Sequence, residues 1–308
     1  MSASPSALFI IAGPTAVGKS LLAVEVAERC GGEIVGADAF QIYEGLDILT
    51  AKPSPELRAR VPHHLFGEIS LKHAFDVAQF ISLAQDRIAG IRQRRRIPII
   101  VGGTGLYLRA LTHGLADLPG SDSRLREEFE SQPTDELCRQ LAQLDAAGFA
   151  QIDRQNRRRV IRALEVCRLT GRPFSSFRDQ WEQPAIGASG VLLTRPREEL
   201  NARIDRRAEM MFEEGVEAEV RALGEPGPTS IQTLGWREIR ASLDGKMSRP
   251  DCIAAIQQAT RQYAKRQMTW FRRERFLEGV DLSQPHDPEE LADRLAKHAF
   301  ACGQNNSV

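Results

Sequence analysis

An eight-residue segment near the start of the chain constrains the fold more than any other part of the sequence. The segment reads Gly13-Pro14-Thr15-Ala16-Val17-Gly18-Lys19-Ser20, in which four residues separate two glycines and Lys-Ser follows. Residues 8–12 before it are apolar, as in a buried strand, and residues 21–30 after it show helical spacing. Because a loop between a strand and a helix N-terminus directs backbone N–H groups toward anionic oxygens, the segment predicts a phosphate site.

Two side chains of this loop have specific expected roles. Lys19 brings a positive charge to the phosphate oxygens, and the Ser20 hydroxyl is placed to hold Mg²⁺. The preceding residues of the loop form the backbone cradle of the same site. A chance glycine-rich turn is the alternative, and the strand and helix on either side argue against it.

Apolar strands alternate with helical segments over most of the chain. Besides residues 8–12, the segments 33–37, 97–101 and 190–194 read as strands, and the segments 75–94, 106–111, 198–223 and 251–273 read as helices. Continuously apolar strands separated by helices indicate a parallel sheet covered on both faces. We therefore predict an α/β fold, a P-loop NTPase-like parallel sheet flanked by helices, with ligands at the carboxyl ends of the strands.

The pattern changes in the middle of the chain. Residues 118–186 contain charged helical stretches and no convincing buried strand, which predicts a helical insertion. The catalytic core is then formed by residues 8–117 together with 187–280, and residues 281–308 are expected to be a peripheral C-terminal tail.

Composition indicates where in the cell the protein works, but it says little about which reaction the protein carries out. The formal net charge of the 308 residues is zero, and of 41 basic residues 6 are Lys, which leaves 35 Arg. Arginine suits phosphate and base contacts, although a G·C-rich genome explains the bias equally well. Five scattered cysteines without a C-x-x-C pair, no long apolar run and no secretory pattern in residues 1–7 predict a cytoplasmic protein away from membranes. No feature demands more than a monomer.

Two polar residues follow predicted strands and could take part in chemistry. Asp38 comes after the second strand, where it is either a turn cap or a general base facing the phosphates. Thr104 comes after Gly102-Gly103 at the end of a third strand, where it is either a helix N-cap or a hydroxyl donor to a leaving-group oxygen. Since the carboxyl ends of parallel strands share one edge, both residues should meet the phosphate loop.

Basic residues cluster in two helical segments. Arg158, Arg159 and Arg162 lie off the apolar face of residues 156–167, and the last long helix carries Arg261, Lys265, Arg266, Arg272 and Arg273. We expect polyanion surfaces there, with a solvated, salt-bridged face as the alternative. The run at residues 92–96 fits a helix C-terminus. His63 and His64 have no further ligands at metal-binding spacing.

Seven segments together resemble the tRNA dimethylallyltransferases, also called tRNA isopentenyltransferases or IPP transferases, in their bacterial form. The resemblance covers residues 8–273 and rests on residues 13–20, 38–43, 47–53, 101–107, 162–166, 234–238 and 260–267. It implies transfer of a dimethylallyl group from dimethylallyl diphosphate to N6 of the adenosine just 3′ of the tRNA anticodon, with Mg²⁺ as cofactor. It also implies that Asp38 is the catalytic base, with Thr104 at the leaving group and Arg203 and Arg207 completing the diphosphate clamp.

The resemblance also implies a set of tRNA contacts, and the insertion would grip the anticodon stem. These contacts are Asp38, Ala39, Phe40, Gln41, Thr104, Arg126, Arg158, Arg159, Val160, Ile161, Arg162, Gln232, Thr233, Leu234, Gly235, Trp236 and Arg237. The chain departs from the family pattern at Ala39, where a Ser is usual, and at residues 153–156, which lack the usual Pro-Asn/Asp turn. It also lacks the zinc finger of the eukaryotic relatives.

Other functions use the same loop. A small-molecule or nucleotide kinase would bind ATP there, with Asp38 activating a hydroxyl and residues 157–162 serving as a lid. Apart from Asp38, however, no apolar strand ends in a Walker-B-like Asp. A GTPase would need an Asn-Lys-x-Asp motif, which the sequence lacks. A non-catalytic RNA-binding protein would leave Asp38 and Thr104 without a role.

Overall fold

A computed structural model describes residues 7–115, 118–181, 187–285 and 287–304. Residues 1–6 and 305–308, and the predicted domain boundaries at 117 and 186, lie outside the described residues. The strands are β1 (Leu8–Ala12), β2 (Gly32–Gly36), β3 (His63–His64), β4 (Ile97–Gly102), β5 (Ala188–Thr194) and β6 (Leu277–Asp281).

The strands form one parallel sheet in the order β3-β2-β4-β1-β5-β6. The central strand β1 pairs with β4, where Ile10 is opposite Ile100, and with β5, where Ile10 is opposite Gly190. The order places the ends of β2, β4 and β1 side by side. The predicted fold class is confirmed.

Helices cover both faces of the sheet because each central strand is apolar on both sides. The helices are α1 (Lys19–Cys30), α2 (Pro55–Arg60), α3 (Val77–Gln93), α4 (Gly105–His113), α5 (Ser123–Glu130), α6 (Thr134–Leu144), α7 (Ala146–Gln151), α8 (Arg157–Thr170), α9 (Arg197–Glu213), α10 (Val216–Ala222), α11 (Trp236–Leu243), α12 (Arg249–Phe271) and α13 (Pro288–Gln304). In β1, Ile10 packs in a cluster with α3, α4 and α11, whereas Phe9 and Ile11 pack with α1 and α13. Two short 3₁₀ helices lie at Phe174–Trp181 and Ser230–Gln232.

One predicted helix is divided in two. The sequence predicts a continuous helix over 198–223, but α9 ends at Glu213 and α10 begins at Val216. Gly215 between them has φ 94°, a left-handed conformation that a helix interior does not contain and that glycine adopts readily. The break frees α9 to lie beside the phosphate loop.

The C-terminal residues differ from the expected peripheral tail. Asp281, the first residue of that predicted tail, ends the edge strand β6, and α13 packs against α1 and β1. In α13, Leu295 and Ala299 are buried with the residues of α1. Spacing at i and i+4 on one helical face is the sequence signal for this packing. The described part of the tail therefore belongs to the core of the α/β unit.

The chain divides into two compact units, one formed by residues 1–112 and 186–308 and the other by residues 113–185. The second unit contains α5 to α8 and has its own core, in which Phe129, Leu137, Leu141 and Leu164 are buried. Among the described residues, no helix is both long enough and apolar enough to span a membrane.

Candidate active site

Hydrogen bonds tie together the loops at the carboxyl ends of β2 and β4. The amide of Ala37 donates to Val101 O at 2.8 Å, and the amide of Thr104 donates to Ala37 O at 3.2 Å. The hydroxyl of Thr104 accepts from the amide of Ala39 at 3.0 Å. Asp38 lies between these two points, so the loops that carry Asp38 and Thr104 are held against each other as the sequence predicted.

The phosphate loop presents an uncapped helix start to this edge of the sheet. Gly18 is the N-cap of α1 and supplies no side chain, so the first amides of the helix receive no side-chain cap from the described part of the chain. The loop carbonyls are held by cations instead: Arg203 Nε donates to Ala16 O at 2.8 Å, and Arg195 Nε donates to Val17 O at 3.0 Å. Because the C=O and N–H of a trans peptide point in opposite directions, these bonds fix how the loop amides face.

Lys19 and Ser20 line a cleft of about 600 Å³ that also contains Asp38 and Arg207. The ammonium group of Lys19 donates to Gly13 O at 2.9 Å and to Pro14 O at 2.7 Å. Burial lowers the pKa of Lys19 to about 8, the charge of Asp38 opposes this shift, and the charge of Arg207 adds to it. The cleft therefore already contains cationic charge that an anionic ligand would stabilise.

The carboxylate of Asp38 is used on one side only. Its Oδ1 accepts from the amides of Phe40 at 2.9 Å and Gln41 at 3.3 Å, which is the turn-capping role considered above. Within the described ranges, no donor is hydrogen-bonded to Oδ2. The cap and the general-base role are compatible, since the cap fixes the carboxylate while Oδ2 stays available in the cleft.

Two predicted clamp arginines lie on α9, one turn apart. Arg203 is exposed apart from its bond to the phosphate loop, and Arg207 lies in the cleft. Burial lowers the pKa of Arg207 and the charge of Asp38 opposes this shift, so the two groups are close enough to interact. Even with a lowered pKa, a guanidinium stays charged at neutral pH.

Three residues of the site were missed by sequence reasoning. Arg195 holds the phosphate loop from the end of β5, Gln267 reaches that loop from α12, and Tyr263 of α12 lines a small cavity with Asp38. Burial raises the pKa of Tyr263, the charge of Asp38 raises it further, and hydrogen bonds with Thr104 and Gln267 oppose the change. The segment 260–267 was part of the family resemblance, which was the available signal, but its side chains had no assigned role.

The predicted tRNA contacts at residues 232–237 differ in exposure. Gln232 and Arg237 are exposed, whereas Trp236 is buried in the core. Thr233 and Leu234 line a small cavity together with Asp38, Phe40 and Arg207. The Thr233 hydroxyl is buried there and has no hydrogen-bond partner among the residues that the structure describes. Gly235 is the N-cap of α11. Gln41 turns back to donate to Thr50 O and Ala51 O.

The insertion places its predicted tRNA contacts in three different settings. Arg158 and Arg159 are exposed on α8, whereas the side chains of Val160 and Ile161 are buried in the core of the unit and form no part of its surface. Arg126 and Arg162 both bind the buried carboxylate of Glu165, Arg162 at 2.6 Å.

The other basic segments also have acidic or aromatic partners. Arg261 of α12 pairs with Asp205, and Arg266 lies over the ring of Tyr263. At the end of α3, Arg94 and the imidazole of His64 both bind Glu33. For Arg162 and Arg261, the structure therefore shows the salt-bridged alternative.

The residues present can help to hold Mg²⁺. Within the described ranges, no three His, Cys, Asp or Glu side chains come together around a metal position. A Mg²⁺ ion that takes most of its ligands from phosphates and water needs only one or two protein oxygens. The hydroxyl of Ser20 and the carboxylate of Asp38 line the same cleft and meet that requirement.

The fold and the cleft define a class of protein. A parallel α/β sheet with a Gly-x₄-Gly-Lys-Ser loop, a carboxylate beside it and a hydroxyl from the next strand end is typical of phosphate-loop group-transfer proteins.

Comparison with known proteins identifies the family. The sequence model described as IPP transferase matches residues 41–274, and one described as isopentenyl transferase matches residues 6–60. The chain belongs to the IPP transferase family. It is 46% identical over 277 residues to a tRNA dimethylallyltransferase of Geobacter metallireducens, covering 87% of this chain and 90% of that protein. It is 41% identical to one of Akkermansia muciniphila, with coverages of 92% and 97%.

Solved structures agree with the sequence comparison. The full-length tRNA isopentenylpyrophosphate transferase of Bacillus halodurans aligns with a TM-score of 0.71 and 34% identity over 98% of each chain. A eukaryotic dimethylallyltransferase, described as acting on tRNA, aligns with a TM-score of 0.76 and 27% identity over 91% of this chain and 75% of that one.

Proposed function

We infer that this protein transfers the dimethylallyl group of dimethylallyl diphosphate to N6 of the adenosine immediately 3′ of the anticodon in tRNA, with release of diphosphate. The observation that carries this conclusion is one cleft in which the phosphate loop, Lys19, Asp38 and Arg207 meet. The names of the relatives support the same activity and favour it over an ATP-dependent kinase.

The diphosphate end of the donor is held by the phosphate loop. The uncapped amides at the start of α1 and the ammonium group of Lys19 face the cleft, and Arg203 and Arg207 add positive charge from α9. Neutralising the diphosphate oxygens weakens the bond between oxygen and the allylic carbon, because negative charge grows on those oxygens as the bond breaks. The hydroxyl of Thr104 is a further donor to the same group.

The acceptor needs a base. The lone pair of the adenine amino group is delocalised into the ring, so N6 is a weak nucleophile until a proton leaves it. Asp38 Oδ2 accepts this proton as the bond between N6 and the allylic carbon forms. The bond between that carbon and the diphosphate oxygen breaks, and the diphosphate takes the electron pair.

The proposal includes Mg²⁺ as cofactor. The hydroxyl of Ser20 would hold the ion beside the diphosphate, and Asp38 lines the same cleft. When bound, Mg²⁺ supplies charge neutralisation to the leaving group.

The proposal also assigns roles to the tRNA-facing residues. The adenosine leaves the anticodon stack to enter the cleft, which costs about a few kcal/mol. Exposed Arg158 and Arg159 of the insertion bind phosphates of the anticodon stem, and exposed Gln232 and Arg237 contact the loop. We place the enzyme in the cytoplasm, where it meets its tRNA substrate, as a monomer.

A label-transfer experiment tests the reaction. The protein is incubated with unmodified tRNA, Mg²⁺ and dimethylallyl diphosphate labelled in the allyl group, and the tRNA is digested to nucleosides. We expect label on N6-dimethylallyladenosine. Label transferred from γ-labelled ATP, with none from the allylic donor, would establish the kinase instead.

A further inference from the structure

The side chain of Gln267 joins two loops of the cleft that come from different strands. Its Oε1 accepts from the amide of Thr15 at 2.9 Å, and its Nε2 donates to Gly103 O at 2.8 Å. Gln267 lies on α12 and is only 3% exposed. The two bonds thus span from the phosphate loop after β1 to the residue before Thr104 after β4.

The chemistry of the two partners fixes the orientation of the amide. A backbone N–H can only donate and a backbone carbonyl can only accept, so the side chain must offer an oxygen to Thr15 and an NH₂ to Gly103. Among the uncharged side chains, only Gln and Asn offer both groups, and Asn is one methylene shorter.

The surroundings leave no room for a different arrangement. A Cβ atom at Gly103 would lie 2.2 Å from Nε2 of Gln267 and 3.2 Å from Gly13 O, so a glycine is required for this close approach. The link therefore holds the backbone directly before Thr104.

The bond to Thr15 also affects which amides can meet an anion. Pro14 has no N–H, and the amide of Thr15 is committed to Gln267. The anion-facing amides of the loop therefore begin after Thr15, and Gln267 holds the peptide plane that immediately precedes the first of them.

We propose that Gln267 is a positioning residue that sets the distance between the phosphate loop and Thr104, and thereby aligns the two ends of the diphosphate clamp. This inference rests on the proposed function, because the clamp acts on the allylic diphosphate. Gln267 itself needs no contact with substrate. Its effect is on the geometry in which the loop amides and the Thr104 hydroxyl act together.

Two substitutions at this position separate positioning from simple stabilisation. Gln267→Leu has similar size and removes both bonds. We expect kcat/KM for dimethylallyl diphosphate to fall by about 30- to 100-fold, because small misplacements of catalytic groups cost that much. Magnesium diphosphate should bind at least several-fold more weakly by calorimetry, while affinity for tRNA changes less than twofold.

Cys252→Ala is the matched control, since Cys252 is fully buried on the same helix and packs in the hydrophobic core instead of the cleft. It should lower the melting temperature without changing kcat/KM measured well below the melt. If Gln267→Leu loses activity only to the extent that Cys252→Ala does, or stays within threefold of wild type, Gln267 is structural and the proposal is wrong.

Gln267→Glu gives a pH-dependent readout that a structural role would not produce. As a carboxylate, Glu places an oxygen against Gly103 O and repels it; when protonated, it regains a donor and remains an acceptor for Thr15. Burial raises the pKa of such a group. The ratio of variant to wild-type kcat/KM should therefore rise as the pH falls from 8 to 6. A flat ratio contradicts the proposal.

The binding measurement keeps the two hypotheses distinct. If wild-type protein fails to prenylate tRNA, the proposed reaction is wrong, yet weaker diphosphate binding in Gln267→Leu would still support positioning of the loop. If wild-type protein is active and both variants match it in rate and in diphosphate affinity, only the inference about Gln267 fails.

Discussion

The cleft of the α/β unit and the helical insertion use charged side chains in opposite ways. In the cleft, Lys19 and Arg203 donate to backbone carbonyls, and Oδ2 of Asp38 is not hydrogen-bonded within the described ranges. In the insertion, the buried carboxylate of Glu165 is bound by Arg126, Arg162 and the amide of Asp122.

The charged groups of the cleft remain available to a ligand, whereas the charged groups around Glu165 already neutralise one another. A carboxylate fixed at one oxygen, with a cation nearby, can take up a proton or help to hold an ion at the other. A carboxylate with all its oxygens occupied stabilises its own unit. Arginine content alone does not distinguish these cases. We therefore expect substitutions in the cleft to act on the reaction and those around Glu165 to act on folding.

The largest effect is expected at Asp38. In Asp38→Asn one oxygen still accepts from the amides of Phe40 and Gln41, so the turn is kept and only the base is lost. Single-turnover prenyl transfer should slow by about 10²- to 10⁴-fold. Loss of the Asp38 charge lowers the pKa of Lys19 further, so diphosphate affinity should be compared near pH 6.5, where Lys19 stays charged. At that pH the affinity should change little. A rate close to wild type would exclude the general-base role.

Thr104→Val should have the next largest effect. The substitution keeps the shape of the side chain but removes the hydroxyl, which is a proposed donor to the leaving group and the acceptor for the Ala39 amide. We expect kcat to fall by about 10- to 100-fold. Thr104→Ser, which keeps the hydroxyl, should retain most of the activity. A Thr104→Val variant that turns over as fast as Thr104→Ser would contradict the role of the hydroxyl.

A pH titration tests whether the positive charge of Lys19 contributes to diphosphate binding. The pKa of Lys19 is lowered to about 8, so its ammonium form dominates at pH 7 and is a minor form at pH 9. Because the charged form binds the anion, diphosphate affinity should weaken about tenfold from pH 7 to pH 9. Lys19→Arg, charged throughout, should lose this pH step. A wild-type curve parallel to that of Lys19→Arg would contradict the assignment.

The smallest effects are expected in the insertion, where two arginines of α8 can be compared directly. Arg162→Ala removes one partner of buried Glu165 and should lower the free energy of unfolding by about 1–2 kcal/mol, because Arg126 remains. Arg158→Ala, which is exposed, should change it by less than about 0.5 kcal/mol.

Salt titration of tRNA binding tests whether the exposed Arg158 contacts a tRNA phosphate. Arg158→Ala should reduce the slope of log affinity against log salt concentration by about one, as for a lost phosphate contact. An unchanged slope for Arg158→Ala would remove this part of α8 from the proposed tRNA surface.

Sequence patterns alone predicted the phosphate loop, the parallel sheet and the positions of Asp38 and Thr104 after neighbouring strands. These features depend on local patterns: glycine spacing, continuous apolar strands and the rule that parallel strands share a carboxyl edge. Local patterns also identified the helical insertion and the charged face of α8.

The partners of the polar side chains, in contrast, became known only from the folded protein. The pairing of Arg126 with Glu165, the place of α13 beside α1 and the bridge from Gln267 to Thr15 and Gly103 all join residues from separate elements. A hydrogen bond depends on ångström-scale geometry, and residues 252 positions apart acquire it only when the sheet and its helices have packed.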